Sequence, residues 1–107
     1  MTIIIEEPVD IDEKKETVPN QYFLNQNYPN PFNPSTVIRY GMKEKAHVTI
    51  NIYNIQGELV KNLVKGSKAA GTHAVTWNPM DIPAGLYFYK IRVLNKFTDI
   101  KKCVFLK

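Results

Sequence analysis

The chain is predicted to be all-β: an immunoglobulin-like β-sandwich of about seven strands behind an extended N-terminal linker. Three observations predict it. From Thr36 onward the apolar residues recur with a period of two, the signature of half-buried strands. Turn-forming residues interrupt those runs at fairly regular spacing. No stretch carries the helical period, so short strands divided by turns must pack sheet on sheet.

Residues 1–20 are set apart by composition. Ile3, Ile4 and Ile5 read as the last strand of a preceding domain, and a chain that begins this way reads as a piece of a longer protein. Residues 6–20 are acidic, polar and bounded by prolines, too poor in apolar surface to offset chain entropy, and read as a linker. The domain proper is then 21–107. Its entry is Asn27–Thr36, NYPNPFNPST. Pro29, Pro31 and Pro34 each fix φ and lack an N–H, which bars a helix interior or a central strand. Each pushes the residue before it toward extended geometry, so Asn30 and Asn33 sit in extended or turn conformations. Phe32 is expected to plug one end of the core.

The strands follow in order. Ile38 and Tyr40 alternate with Val37 and Arg39. Val48, Ile50 and Ile52 alternate with His47, Thr49, Asn51 and Tyr53, the clearest pattern in the chain. Asn54–Gly57 forms a hairpin turn, with Gly57 supplying positive φ. Glu58–Val64 returns, its inward face undecided between Leu59 with Leu63 and Val60 with Val64. Lys65–Gly71 reads as a turn. Thr72–Asn78 places His73, Val75 and Trp77 on one face, and Pro79–Gly85 is a loop. Leu86–Leu94 places Tyr87, Tyr89, Ile91 and Val93 together. Asn95-Lys96 turns the chain into a final strand, Thr98–Leu106. The predicted core is Ile38, Tyr40, Val48, Ile50, Ile52, Val75, Trp77, Tyr89, Ile91 and Val104.

Charge is unevenly placed. Residues 1–20 carry six acids and two lysines, net −4; residues 21–107 carry twelve bases and four acids, net +8. A basic domain behind an acidic tether favours an anionic partner. The lysines are scattered singly along strands, with neither a recognition helix nor an aromatic–basic platform, which argues against nucleic acid. No run reaches the roughly 18 apolar residues of a membrane span. Residues 1–20 lack the basic region followed by an apolar run that reads as a signal peptide, which has little weight in a C-terminal piece of a longer protein. One cysteine, Cys103, forbids an intrachain disulfide and a cysteine-rich zinc site; it reads as a small core residue. His47 and His73 lack partners at metal spacing. Glu44, Glu58, Asp81 and Asp99 are unpaired in sequence, and no nucleophile or phosphate-loop motif occurs. The expectation is a non-enzyme without a cofactor. Trp77 with Tyr87 and Tyr89 could form a sugar-stacking platform, but Trp77 fits a core pillar better.

Taken in order, six pieces resemble a known family: NYPNPFNPST at 27–36, IRY at 38–40 and INIYNIQGELVKNLV at 50–64, then AGTHAVTW at 70–77, IPAGLYFYKI at 82–91 and KKCVFLK at 101–107. The chain resembles the type A C-terminal sorting domain of proteins exported by the bacterial type IX secretion system. The resemblance implies a signal at the end of a secreted cargo, which lies N-terminal to it as a passenger domain. The cargo crosses the inner membrane by the general secretory route. The folded domain is then read in the periplasm by the type IX machinery and taken across the outer membrane. In many members a sortase-like cysteine protease removes the domain, and the cargo is released or joined to anionic lipopolysaccharide. Cleavage would fall near Glu13–Leu24. The protein is then secreted or held on the outer cell surface.

Carried over by motif, Gly85, Leu86 and Tyr87 match a family signature, as do Lys101, Lys102 and Lys107. Cys103 stands where the family often has methionine; both are polarizable apolar groups. The expected partner-binding residues are Gly85, Tyr87, Lys101, Lys102, Val104 and Lys107, together with Pro29, Asn30 and Pro31. The last strand would offer an edge for strand addition, its lysines otherwise serving as guards against unwanted pairing. Two alternatives are a structural immunoglobulin-like module, as in the flagellar hook-capping scaffold that the motifs also resemble, and a carbohydrate-binding module of a surface enzyme.

Overall fold

Strands form where the alternation dictates, and the computed structural model, which describes residues 18–107, contains seven of them. They are β1 (Phe23–Leu24), β2 (Thr36–Met42), β3 (Ala46–Tyr53), β4 (Leu59–Lys68), β5 (Gly71–Trp77), β6 (Gly85–Val93) and β7 (Phe97–Phe105). They build two antiparallel sheets, β1-β2-β5 and β4-β3-β6-β7, with no helix among the described residues. This is the immunoglobulin-like sandwich expected.

The core lies between the two inner faces. Val48, Ile50 and Ile52 of β3 stand opposite Val93, Ile91 and Tyr89 of β6 in register, all buried. Ile38, Tyr40 and Met42 of β2, with Trp77 of β5, close over them from the other sheet. Each such side chain contributes about 1.5–3 kcal/mol by leaving water, against the entropy of ordering its segment.

Four expectations are corrected. Lys65–Lys68 is not a turn but continues β4, which therefore runs ten residues. Its undecided inward face has a physical cause: the register against β3 shifts at Ile50/Asn51 and again at Ile52/Tyr53. Bulges put consecutive residues on one face, so Val60, Leu63 and Val64 all pack inward while Leu59 is exposed. Val104 is not in the core. The inward residues of β7 are Cys103 and Phe105, and Val104 between them faces outward. Val75 is only partly buried and packs against the core's margin. The sandwich also begins earlier than Thr36. β1 pairs Phe23 with Gly41 and Leu24 with Tyr40. The Phe23 ring lies over Gly41 so closely that an added Cβ would overlap it, which explains a glycine within a strand. The expectation for Ile3–Ile5 lies outside the described residues.

Candidate functional site

Residues 25–37 link the two sheets at one end of the sandwich. Asn25 N donates to Arg39 O, and Tyr28 and Val37 exchange N–H···O bonds of 3.0 Å, which extends the edge of the three-stranded sheet past β1. Four residues later the chain reaches the other sheet. Phe32 N donates to Val104 O at 2.9 Å, and Leu106 N to Phe32 O at 2.9 Å. Val104 N donates to Asn30 Oδ1 at 2.9 Å, and Gln26 Nε2 donates to Lys102 O at 2.7 Å. The outward backbone groups of β7 between Lys102 and Leu106 are thereby largely occupied. At Ile100 the outward N–H is taken by Asp99 Oδ1 at 2.8 Å. The proline-rich segment thus covers the edge expected to accept an added strand, and a segment short of N–H donors is well suited to end a sheet. The Tyr28–Pro29, Asn30–Pro31 and Asn33–Pro34 bonds are cis.

The segment is pinned from within. Asn27 and Thr36, the first and last residues of the motif, are both buried. Asn27 Nδ2 donates to Thr36 Oγ1 at 2.9 Å and to Pro29 O at 3.2 Å, and Thr36 Oγ1 donates to the same Pro29 carbonyl at 2.8 Å. Gln26 Nε2 donates to Asn27 Oδ1 at 2.7 Å. From the core of the other sheet the Tyr89 hydroxyl accepts Asn27 N–H and donates to Asn25 O, both at 2.7 Å. Burial holds the Tyr89 phenol well above the usual tyrosine range. The side-chain oxygen and nitrogen of Asn27 and its backbone N–H are all matched, as a buried amide requires.

Aromatic packing completes this pole. Phe32 is 1 % exposed, with its ring centroid 5.3 Å from Trp77 and 5.2 Å from Phe105. Tyr87 meets Trp77 edge-on at 5.7 Å and donates its hydroxyl to Pro83 O at 2.6 Å. Gly85 pairs with Phe105 at a φ of 151°, a backbone conformation that side chains rarely adopt. Trp77, Tyr87 and Tyr89 are all buried, so they cannot form a sugar-stacking platform.

Of the expected site residues, Pro29, Asn30, Pro31, Gly85, Tyr87 and Val104 therefore converge at one pole, although 75 positions separate the first from the last. Tyr87 contributes from inside. The exposed surface comprises Pro29, Asn30 and Pro31, Tyr28 at 76 % exposure, and Leu86, which neighbours Val104 across the strands. Beside it runs a groove of about 320 Å³ between the β3–β4 turn and the entry to β6, lined by Ile55, Val60, Ile82, Pro83 and Leu86. Lys101 and Lys102 are not brought together. They point to opposite faces of the sheet, Lys101 beside Asp99 at 3.8 Å and Lys102 exposed on the outer face. Lys107 is exposed beyond β7. The buried amide network was missed from the sequence; polar residues bracketing the proline run were its one visible sign.

At the opposite pole Lys96 hydrogen-bonds and attracts Glu44 at 3.2 Å, and Tyr22 donates to the same carboxylate, together holding Glu44 below the usual range. His73 stacks on Tyr40 and contacts Ala69 O at 2.8 Å, whereas His47 is exposed. Among the described residues no three His, Cys, Asp or Glu side chains gather to hold a metal. No helix there is long and apolar enough to cross a membrane. Burial pushes the Cys103 thiol up to about 12. An unfolded cysteine titrates near 8.5. The raised value makes its contribution to stability complete below pH of about 8.5 and lost as pH rises toward about 12. Buried Tyr40, Tyr87 and Tyr89, all shifted upward, add to the alkaline loss. Melting temperature should fall across that window, and Cys103→Val should make the fall shallower. A thiol reagent at pH of about 8 should label Cys103 only on unfolding.

The fold is a non-local β-sandwich whose separated motifs make one pole, and this defines a class of small β modules. Within it, the model of the secretion system C-terminal sorting domain matches residues 26–106, which contain the whole pole. The chain belongs to this family, the type IX sorting domains that its motifs resemble. Among solved structures, CopC from Methylosinus trichosporium OB3b is similar at 21 % identity and a TM-score of 0.45, over 79 % of this chain and 91 % of that one. No curated protein matches the sequence.

Proposed function

We propose that the chain is read as a folded surface, at the pole built by Pro29–Pro31, Gly85–Leu86 and Val104, and that this reading sends an N-terminal cargo through the type IX machinery. Membership of the sorting-domain family supports the sorting role and, with it, a secreted or surface-held protein. The observation that carries the finer reading is the convergence of the family's scattered motifs at one place. Buried Phe32, Trp77, Tyr87 and Phe105 make that place rigid, so a receptor meets a preorganised surface and loses little entropy on docking. The apolar groove beside it offers an anchor of the kind interfaces favour.

Passage of the unfolded cargo to the periplasm precedes recognition. A sortase-like protease then separates domain from cargo upstream of Tyr22. Phe23 and Leu24 are paired in β1 and Leu24 is buried, so the accessible part of the expected cleavage region ends at about Gln21. Release of the cargo, or its attachment to anionic lipopolysaccharide, follows. Residues 1–20 serve as the linker and 21–107 as the signal.

Two double variants test which surface is read. Ile55→Lys with Leu86→Lys places charges in the groove at positions 70 % and 37 % exposed. The melting temperature should stay within a few degrees, since exposed substitutions usually cost within about 0.5 kcal/mol, and export should be lost. Wild-type export of this folded variant would refute reading at the pole. Lys101→Ala with Lys102→Ala should fold and be exported; lost export there, with the groove variant exported, would move the site to β7.

A further inference from the structure

Beyond Leu86 and Val104, which belong to the pole, the outer face of the four-stranded sheet is used by neither the core nor the pole. Four of its side chains are cations. Alternation and register place Lys65 of β4, Lys90 and Arg92 of β6, and Lys102 of β7 on this one face. Lys65 and Arg92 share a row with Thr49 between them, two strand spacings or about 10 Å apart. Lys90 lies two residues from Arg92, about 6.6 Å along the strand. Lys102 pairs with Phe88 and so lies diagonal to Lys90, about 8 Å away. The four form a diagonal stripe across the sheet.

No carboxylate among the described residues shares the face. Glu44 and Glu58 lie at turns, Asp81 lies in the β5–β6 loop, and Asp99 pairs with inward-facing Ile91. The ion pairs among the described residues, Lys96–Glu44 and Lys101–Asp99, involve none of the four cations. Uncharged hydrogen-bonding groups lie beside Lys65, Lys90 and Arg92, while Phe88 and the exposed Ile100 flank the step from Lys90 to Lys102. Asn62 Nδ2 donates to Asn51 Oδ1 at 2.7 Å, and Asn51 Nδ2 to the Tyr53 hydroxyl at 3.3 Å. Thr49, Asn51, Tyr53, Lys90 and Arg92 line a shallow cleft of about 150 Å³.

We propose that this face binds a linear polyanionic glycan, a chain of sulfated, phosphorylated or carboxylated sugars laid along the Lys65–Arg92–Lys90–Lys102 stripe. The cations meet anionic groups spaced about 7–10 Å apart, and the Arg92 fork suits a planar or tetrahedral oxyanion. Thr49, Asn51 and Asn62 meet sugar hydroxyls. Double-stranded nucleic acid fits less well, because a flat sheet puts no helix or ribbon into a groove. Single-stranded nucleic acid needs exposed rings on which bases stack, whereas Tyr53 and Phe88 are half-buried neighbours across the strands. The choice of a glycan over other polyanions rests on the exported location argued above; the cationic face itself does not.

Heparin is the probe, titrated into the full 107-residue chain at several salt concentrations. Dextran and a single-stranded oligothymidylate of matched charge serve as controls. Heparin should bind saturably and dextran should not. Lys90→Ala with Arg92→Ala should weaken heparin about tenfold or more and lower the slope of log affinity against log salt by about two, one for each lost cation. Lys43→Ala with Lys45→Ala removes the same charge at the β2–β3 turn and should change affinity less than about threefold. Unaltered melting temperatures would show that both variants are folded. Equal weakening by the two pairs would mean diffuse charge and overturn the proposal. So would absence of saturable heparin binding near physiological salt, or tighter binding of the oligothymidylate. None of these readouts depends on export, so a sorting defect and a glycan-binding defect are separable.

Discussion

Phe32→Ala should lower the melting temperature by more than about 12 °C and leave much of the domain unfolded under physiological conditions. The side chain is buried between Trp77 and Phe105. Truncating a buried phenylalanine costs about 3–5 kcal/mol through lost transfer energy and the cavity left behind. A sandwich of this size has only roughly 4–13 kcal/mol to lose, and each kcal/mol is worth about 4–8 °C. The loss also reaches the sheet edge. Phe32 carries the backbone bridge to β7, so loosening its ring should expose Val104 and Leu106 amides to hydrogen exchange before the β3–β6 centre opens. Phe32→Leu should recover part of the stability. A drop below about 1 kcal/mol in thermal or chemical denaturation would show that the plug is not a pillar of the fold.

Asn27→Ala should cost about 2–3 kcal/mol, near the upper end for a lost hydrogen-bonding group, because it strips partners from several buried atoms at once. Thr36 Oγ1 loses a donor, Pro29 O loses one of two, and Gln26 Nε2 loses an acceptor. Asn27→Asp should be worse at neutral pH, since it brings a carboxylate against two acceptor oxygens. That carboxyl would be driven upward in the folded state. Its deficit should therefore be smallest below the unfolded pKa of about 3.9 and grow as pH rises through the folded value. Chemical denaturation at acidic and neutral pH measures both effects. Equal stability of Asn27→Asp at the two pH values would contradict the network.

Legibility tracked how far each feature depends on local alternation. β3 and β6 are central strands with one face buried, so period two displays them plainly and their inward residues came out in register. β4 broke that rule because two bulges shift the phase, which no alternation can express. β1 has two residues and lays the Phe23 ring over Gly41, a fit across strands rather than a pattern along one. Val104 is expected in the core, but the burial of Cys103 and Phe105 on either side fixes the parity against it.

The site divides in the same way. Proline chemistry announced that Asn27–Thr36 is stiff and extended, and Phe32 was recognisable as its anchor. Which edge it covers depends on partners more than 60 residues away, Tyr89, Lys102 and Val104, and no local signal encodes those distances. The final strand therefore read as an open edge, although half of that edge is already capped. Lys101 and Lys102 looked like one motif and are two surfaces, because adjacent residues of a strand face opposite ways.

The central claim is that this folded domain by itself directs a cargo through the type IX machinery. Fusing the 107-residue chain to the C-terminus of a reporter that carries its own inner-membrane export signal tests this most directly. Expression would be compared in a type IX-competent bacterium and in an isogenic strain lacking the machinery, with reporter activity measured in periplasm, on the surface and in the medium. The reporter should leave the periplasm in the competent strain and be retained in the other. Retention in the periplasm of both strains, with the domain folded as judged by protease resistance of residues 18–107, would contradict the account.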